Sequence, residues 1–296
     1  MQTQHTTVLL HEAVDGLKLS AKDIVVDATF GSGGHAKEIL QVLDEAGCFV
    51  GIDADKTALD LKKLGEPKAK VHLVNDNFSN LINILSSLQI EEVNAILADL
   101  GWRMEQFADG NKGFSFMHEG PLFMTFGDPA DYPFTAEDIV NEWDEAVLAD
   151  IIYGYADERF ARRIAKKIIE ARAIERITTT TQLVKVIESA IPKAALNKRI
   201  HPATKTFQGL RIAVNSELSV LETFIKDGFS KLAPGGRMAI ITFHSIEDRV
   251  VKHSFRELVQ ADLAELATKK PIVPSEEELK QNPRARSAKL RIIFKK

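Results

Sequence analysis

The sequence is poor in the residues that form disulfides and metal–thiolate centres. Its 296 residues include one cysteine, Cys48, which excludes an internal disulfide and any cluster of cysteine ligands. Cys48 lies in an apolar run and is predicted to be a small core residue. No window approaches the ~20 consecutive apolar residues of a transmembrane helix. The N-terminus also lacks the basic segment and cleavage site of a secretion signal. We therefore expect a cytoplasmic protein with no membrane contact.

Acidic and basic residues are distributed unevenly along the chain. The formal net charge is −4, but residues 1–160 carry a net charge of −17 and residues 161–296 a net charge of +13. This difference predicts that the second half of the chain contacts a polyanion. The alternative is that its basic residues only form the solvated faces of helices.

Short apolar runs alternate with helical patterns in the first hundred residues. Strands are predicted at 24–29, 49–53, 71–75 and 94–100. Helices are predicted between them, at 36–43, 57–64 and 81–88. Strands that alternate with helices indicate right-handed βαβ units and a parallel sheet. The predicted fold is therefore α/β, a doubly wound, mostly parallel and Rossmann-like sheet.

The α/β pattern is interrupted after Gly101. Helical spacing follows at 138–143, 145–155, 159–172 and 181–190, and Thr135 and Asp138 form a loose capping box. The α/β pattern then resumes with a helix at 206–229, a turn at 234–236, a strand at 237–243, a helix at 246–258, an exposed loop at 272–286 and a strand at 288–294. We predict a discontinuous α/β domain of residues 1–105 and 200–296, with an inserted helical domain at 106–199.

The loop between the first strand and its helix is rich in glycine. Gly31, Gly33 and Gly34 allow close approach of the backbone to a ligand. Gly31, Gly33 and Ala36 also fit the G-x-G-x-x-A pattern of nicotinamide cofactor sites, and a tight turn without a ligand is a further alternative. Asp53 ends the second strand, where an acid accepts hydrogen bonds from ribose hydroxyls in either kind of site.

Asp27 distinguishes the two cofactors. A carboxylate at the end of the first strand suits the ammonium group of a methionine moiety, whereas it would repel a pyrophosphate. The sequence therefore favours S-adenosylmethionine over NAD. Phe78, after the third strand, either packs on an adenine or is a core aromatic residue. Asp99 ends the fourth strand at the edge where such sheets bind ligands.

Nine segments together resemble the bacterial 16S rRNA (cytosine-N4)-methyltransferase family. They extend in order from about Thr7 to the C-terminus, and several are specific to that family. They are HTTVLLHE (5–12), DATFGSGGH (27–35), NFSNL (77–81), GFSF (113–116), RFARRIA (159–165), ITTT (177–180), HPATKTFQ (201–208), FHSIEDR (243–249) and NPRARSAKLR (282–291).

The resemblance implies a class I methyltransferase fold with an inserted helical domain. It also implies methylation of the exocyclic N4 of a decoding-centre cytidine on the assembled small ribosomal subunit. The cofactor residues that it implies are Gly33, Gly34, His35, Asp53, Phe78, Asp99 and Gln106. The chain departs from the family pattern at Trp102–Met104 and at Phe123–Phe126, in the segment after the fourth strand, near the expected reaction centre.

Asp99 and His244 are the candidate catalytic residues. Asp99, or a backbone carbonyl after it, is placed to accept a proton from the N4 amine. His244 either handles a proton or belongs to a capping cluster with Ser245 as N-cap and Asp248 at N3. The spacing of this cluster fits no common metal site.

Trp102 and several residues of the second half of the chain are the candidate RNA contacts. Trp102 stacks on a flipped base or packs within the insertion. The other candidates, mostly for phosphate contacts, are His201, Lys205, Arg211, Ser245, Arg284, Arg286, Lys289 and Arg291. The expected partner is 16S rRNA in the small subunit, and a homodimer is open as an alternative to a monomer.

Three other functions compete with this interpretation. The chain could methylate another nucleic acid or a small amine, for which the altered segment 102–126 is the best support. It could be a catalytically silent assembly factor, which the retained acidic residues Asp27, Asp53 and Asp99 disfavour. An NAD-dependent dehydrogenase is disfavoured by the charge of Asp27.

Overall fold

The computed structural model describes residues 6–101, 112–196 and 201–296. Trp102 and Gln106 lie outside the described residues. The chain divides into two compact units, one formed by Met1–Gly101 with Leu218–Lys296 and the other by Trp102–Glu217. The division thus differs from the predicted boundaries, most of all at the C-terminal side of the insertion.

The first unit is built on a seven-stranded sheet. Its strands are β1 Ile24–Asp27, β2 Cys48–Asp53, β3 Lys70–Asn75, β4 Val93–Asp99, β5 Leu232–Thr242, β6 Ala264–Leu266 and β7 Lys289–Lys295. The order is β3-β2-β1-β4-β5-β7-β6, with β1 to β5 parallel and β7 antiparallel to both of its neighbours. This confirms the predicted doubly wound, mostly parallel α/β fold.

The helices fall into two groups. Some flank the two faces of this sheet, and the others belong to the second unit. Their bounds are α1 Leu10–Leu17, α2 Gly34–Val42, α3 Leu81–Ser87, α4 Ala136–Glu142, α5 Glu145–Gly154, α6 Ala161–Arg172, α7 Thr180–Ala190, α8 Lys193–Leu196, α9 Thr204–Val214, α10 Glu217–Lys231, α11 Ser245–Gln260 and α12 Glu276–Gln281.

Alternate residues of each strand enter two different cores. Val25 of β1 packs in one cluster with residues of α1 and α2, whereas Val26 packs in another with residues of α3, α10 and α11. Successive side chains of a strand point to opposite faces, so both faces of the sheet are covered by helices. Hence the carboxyl ends of the parallel strands are left as the edge where a ligand can bind.

The predicted helix at 57–64 is wrong. Only a 3₁₀ turn forms there, at Leu61–Leu64. The side chain of Asp55 accepts hydrogen bonds from the backbone and hydroxyl of Thr57, and that of Asp60 accepts one from the backbone of Lys62. Such local bonds offer the backbone an alternative to helical hydrogen bonds.

The predicted helix at 206–229 is two helices, α9 and α10. The break is at Asn215, whose side-chain amide donates to the carbonyl oxygens of Met124 and Arg211 and accepts from the N–H of Phe126. Ser216 follows in the left-handed region, with φ +50°. Because Phe207 and Leu210 of α9 are buried in the core of the second unit, that unit extends to Glu217 instead of ending at residue 199.

Two expectations near the C-terminus also change. The predicted turn at 234–236 lies inside β5 as an irregularity, where the register with β4 shifts between Val93 and Ala95 and Gly235 has φ +78°. The predicted loop at 272–286 contains α12, whose first turn is capped by the hydroxyl of Ser275, and a 3₁₀ turn at Pro283–Ser287.

The described regular elements of the second unit are helices. The capping box predicted at Thr135 and Asp138 is confirmed at the start of α4, and Thr179 and Gln182 form another at the start of α7. Residues of α4 to α7 and α9 bury a common apolar core. No helix among the described residues is long and apolar enough to cross a membrane.

Gly113 is predicted to be essential for the stability of the second unit. It has φ +72°, and a Cβ added there would lie 1.9 Å from the carbonyl oxygen of Pro121. Gly113→Ala should lower the free energy of unfolding by about 2–4 kcal/mol, because backbone strain and a backbone clash add. Gly154→Ala is the matched control, since a Cβ there meets nothing within 4 Å. Equal urea unfolding midpoints for the two variants would contradict the described geometry.

Candidate active site

Three carboxylates lie at the carboxyl ends of strands near the centre of the sheet. Asp27 ends β1, Asp53 ends β2 and Asp99 ends β4. β1 lies between β2 and β4, so these ends are neighbours at one edge. The sequence predicted all three as site residues, and the structure brings them together.

Asp27 is the most deeply buried of the three. Its side chain is 2% exposed, and its Oδ1 accepts a hydrogen bond of 3.1 Å from the backbone N–H of Thr29. Burial raises the pKa of Asp27 to about 7, and the negative charges of Asp99 and Asp53 add to the rise against the Thr29 hydrogen bond. A cationic ligand group at this carboxylate would therefore favour its ionised form.

Asp53 anchors the glycine-rich loop. Its Oδ2 accepts a hydrogen bond of 2.8 Å from the N–H of Gly31, and its Oδ1 accepts one of 2.8 Å from the backbone N–H of Asp55. Gly31 and Gly33 have φ values of +54° and +78°, in the left-handed region that favours glycine. The N–H of Gly31 is thus directed at a carboxylate, whereas a pyrophosphate would need such donors for itself.

The start of α2 has no room for a side chain at Gly34. A Cβ at this position would lie 1.8 Å from the hydroxyl oxygen of Thr7. Glycine here lets the N-terminal segment pack directly against the loop. Sequence reasoning selected Gly34 but missed Thr7, because nothing in the chain order indicates that residue 7 contacts residue 34.

Asp99 is held from two sides. Its backbone N–H donates to Oγ1 of Thr29 at 2.6 Å, and its Oδ1 accepts from the N–H of Gly101 at 2.9 Å. Its Oδ2 lies 3.9 Å from Nδ1 of the buried His35. Thr29 therefore links Asp27 to Asp99. It was not selected from the sequence, although its place two residues after Asp27 is a usable signal.

Phe78 has a definite structural role. It lies in the 3₁₀ turn Phe78–Asn80, and its ring packs edge-on against Phe224 of α10, with centroids 5.0 Å apart and planes at 65°. The side chain is half-buried. The core interpretation is supported by this contact, and contact with an adenine stays a prediction.

The alternative that His244 belongs to a capping cluster is confirmed, but the N-cap of α11 is His244 with Glu247 at N3, one residue before the predicted Ser245 and Asp248. Nδ1 of His244 accepts from the N–H of Glu247, and Oε2 of Glu247 accepts from the N–H groups of Phe243 and His244. Nε2 of His244 lies 2.9 Å from Oε1 of Glu247. Ser245 is exposed at the first helical position. The histidine is thus shared between capping and an acidic partner that the sequence did not reveal.

The structure gives Arg211 a partner within the chain, and its contact with RNA stays a prediction. Its side chain is 10% exposed, and its guanidinium forms a two-point ion pair with Glu217, at 2.8 and 2.9 Å. This guanidinium is paired within the second unit and largely withdrawn from solvent, so removal of Glu217 alone would leave its charge without a counter-charge. Two further candidates of that unit, Lys205 and His201, have internal partners too. Lys205 donates to the carbonyl oxygen of Asp157, and His201 stacks on Phe116.

The basic residues near the C-terminus differ in exposure. Arg284 and Arg286 are exposed in the 3₁₀ turn before β7. Lys289 and Arg291 bind the carboxylate of Asp248, at 2.9 and 2.7 Å. Burial alone would raise the pKa of Asp248, but the hydrogen bonds from Arg291 and Lys289 lower it below its usual value. Lys289 therefore has an intramolecular role beside the predicted phosphate contact.

The acidic edge fits S-adenosylmethionine better than NAD. The cofactor carries a sulfonium and an ammonium cation, and Asp27, Asp53 and Asp99 present three carboxylates at one edge. Opposite charges brought into a poorly solvated site attract strongly, whereas a pyrophosphate there would be repelled. Gly31 and Gly33 hold the positive φ values of a tight loop, a backbone conformation that lets the loop approach a ligand closely.

Cofactor affinity should depend on the ionisation of Asp27. Below its pKa of about 7 the carboxyl is mostly neutral and cannot pair with an ammonium group. Affinity for S-adenosylmethionine should therefore rise with pH, by up to about tenfold per unit, and level off above the pKa. Isothermal titration calorimetry at a series of pH values measures this. Asp27→Asn should bind weakly with a flat profile, and a flat profile for the wild-type chain would contradict the assignment.

The chain is similar to members of one protein family along nearly its whole length. The chain matches the MraW methylase family over residues 2–296. A protein of Clostridioides difficile (strain 630), "Ribosomal RNA small subunit methyltransferase H", is 42% identical over 312 residues and covers 100% of both chains. Proteins of the same name from Halothermothrix orenii and Brevibacillus brevis are 43% and 41% identical, and the alignments cover 98% of this chain and 97% and 98% of the relatives.

Proposed function

Because the chain belongs to the MraW methylase family, we propose that it transfers a methyl group from S-adenosylmethionine to the exocyclic N4 of a cytidine in the decoding centre of 16S rRNA. The observation that carries the transfer is the edge formed by Asp27, Asp53 and Asp99, which suits a cationic cofactor. The rRNA substrate is supported by the name of the relatives and by the net charge of +13 on residues 161–296.

Two groups of the cofactor, the ammonium and the ribose, are each assigned a residue of the acidic edge. Asp27 pairs with the ammonium group and Asp53 accepts hydrogen bonds from the ribose hydroxyls. Each oxygen of Asp53 already accepts one bond from the chain, and a carboxylate has about four acceptor positions, so ribose contacts remain available. Gly33, Gly34 and His35 line the approach, and Phe78 and Gln106 complete the proposed set.

Asp99 is the proposed acceptor of the N4 proton. Bound S-adenosylmethionine supplies a methyl group that N4 attacks in line, so orientation is the main demand on the protein. The N4 lone pair is conjugated with the ring, and an acceptor for one N4–H helps it to rehybridise. Thr29 fixes the backbone of Asp99 and Gly101 fixes its Oδ1. This rigidity keeps the carboxylate directed at one position.

The base and the RNA backbone are assigned to other parts of the chain. We assign base stacking to Trp102 and phosphate contacts to the exposed Arg284 and Arg286, with Lys289 beside them. His244, held by Glu247, is assigned to orient the segment after β5. The insertion is assigned to substrate recognition. The proposed natural substrate is the assembled small subunit in the cytoplasm.

A substrate panel tests the assignment of the RNA. Transfer of labelled methyl is measured to small subunits that lack the modification, to deproteinised 16S rRNA, to tRNA and to cytidine. We expect efficient transfer to the subunit and much less to the others. Preference for tRNA or free cytidine would support the alternative suggested by the altered segment 102–126. Cofactor binding without any transfer would support a silent assembly factor.

A further inference from the structure

A cavity lies outside the site described above, between α11 and the last two strands of the sheet. Its volume is about 80 Å³, several times the volume needed to hold one water. Its lining residues are Lys252, Phe255, Arg256, Leu266, Lys269 and Arg291. Four of these six side chains are cations, and they come from α11, from the segment after β6 and from β7.

The positive charge of this cavity is only partly balanced. Asp248 holds Arg291 and Lys289. Glu265 precedes the lining residue Leu266 on β6, so it points to the opposite face of the strand, and its carboxylate lies 3.8 Å from Lys296. Within the described ranges, no carboxylate pairs with Lys252, Arg256 or Lys269.

The three unpaired cations are held near one another by the fold. Lys252 and Arg256 are four residues apart on α11 and therefore share one helix face. Lys269 follows β6, the strand against which α11 packs. All three side chains are exposed, so solvent weakens their mutual repulsion, and an anion placed among them is attracted by each. The arrangement therefore indicates an anion ligand.

We propose that this cavity binds a backbone phosphate of the RNA substrate, at a distance from the methylated nucleotide. The proposal rests on the proposed function, since it takes RNA as the substrate. In the antiparallel ladder of β5 and β7, Lys289 lies opposite Thr242, at the carboxyl end of β5 near the acidic edge. Arg291 lies two residues further along β7, on the same face of that strand. Lys252 and Arg256 lie about 10 and 16 Å along α11 from its start at that edge.

The cations thus form a track from the acidic edge to the cavity. An RNA strand with its target base at the edge can pass the partly exposed Lys289 and place a phosphate between Lys252, Arg256 and Lys269, while Arg291, which is 12% exposed and paired with Asp248, forms part of the cavity wall. A membrane surface fits less well, because the apolar lining residue Phe255 is fully buried and cannot insert into lipid. Such contacts fix the register of RNA without reading its sequence.

The test neutralises the three cations together, as Lys252→Gln/Arg256→Gln/Lys269→Gln. Binding to small subunits is measured over a series of KCl concentrations. We expect affinity to fall at least about tenfold, since a single charge-assisted hydrogen bond is worth that much. The slope of log affinity against log salt should decrease by about 1, as for one lost phosphate contact. The affinity for S-adenosylmethionine and the kcat at saturating subunit should stay unchanged.

The control is Lys22→Gln/Lys62→Gln/Lys68→Gln, which removes three exposed charges elsewhere in the first unit. If the slope of log affinity against log salt were the same for both triple variants, the proposal would be overturned. A thermal scan checks folding, and Lys269→Arg, which keeps the charge, should bind as the wild type does.

Two further measurements distinguish free phosphate from RNA as the ligand, and failure of the cavity proposal from failure of the proposed function. Calorimetry with inorganic phosphate shows whether the cavity holds free phosphate; loss of that binding in the triple variant, with unchanged RNA affinity, would overturn the assignment to RNA. Binding is measured apart from transfer, so methylation of a different nucleoside would contradict the proposed function and leave the cavity proposal intact. A wild-type chain that binds neither subunit nor 16S rRNA would contradict both.

Discussion

Asp99→Asn is expected to lower kcat for methyl transfer by about 10²–10⁴-fold, the usual contribution of a positioned proton acceptor. The substitution keeps the shape of the side chain. Its amide oxygen can still accept from Gly101, and its backbone N–H can still donate to Thr29. What is lost is a carboxylate that can receive the N4 proton. Single-turnover transfer to small subunits, with cofactor and subunit saturating, measures the chemical step directly.

The control for this variant is Asp15→Asn, which removes one exposed carboxylate from α1. It should transfer methyl groups at the wild-type rate. If Asp99→Asn did the same, Asp99 would not be the acceptor. A loss that appeared only as weaker cofactor binding, with kcat unchanged, would assign Asp99 to the cofactor alone.

Asp53→Ala is expected to weaken S-adenosylmethionine binding by about 10²–10³-fold. Hydrogen bonds to a charged group contribute about 1.5–3 kcal/mol each, and this variant loses those to the ribose together with the anchor of the loop at Gly31. Asp53→Asn keeps an acceptor oxygen, so its affinity for the cofactor should lie between those of the wild type and Asp53→Ala. Calorimetric titration of the cofactor measures the affinities.

The two carboxylates should therefore separate in their kinetics. Asp53→Ala should retain much of the wild-type kcat once the cofactor is saturating, because the residue touches the cofactor at a distance from N4. Asp99→Asn should not recover at any cofactor concentration. Cofactor affinity of Asp53→Ala equal to that of the wild type would remove Asp53 from the site.

The positions of the three acidic residues were predictable because each follows an apolar strand. Parallel strands end at one edge, so an acid at the end of each strand is brought there by the topology alone. Thr29 and Thr7 were not predictable in the same way. Their contacts with Asp99 and Gly34 join residues far apart in the chain, and periodicity contains no information on such pairs.

The two failed helix predictions share a physical cause, which is competition of local polar side chains with helical hydrogen bonds. The side chains of Asp55 and Asp60 replace a predicted helix with turns, and Asn215 divides another helix. Arg211 was assigned to RNA from its charge, but the break after α9 brings Glu217 against it. A charge count identifies a basic region, whereas only the structure shows which of its cations are already paired.

The measurement that tests the central claim most directly is the identity of the methylated nucleoside. Small subunits lacking the modification are incubated with the chain and labelled S-adenosylmethionine, and their 16S rRNA is digested and analysed by mass spectrometry. The account predicts N4-methylcytidine at a single decoding-centre position. A methyl group on another atom or nucleoside, or no transfer by a chain that binds the cofactor, would contradict it.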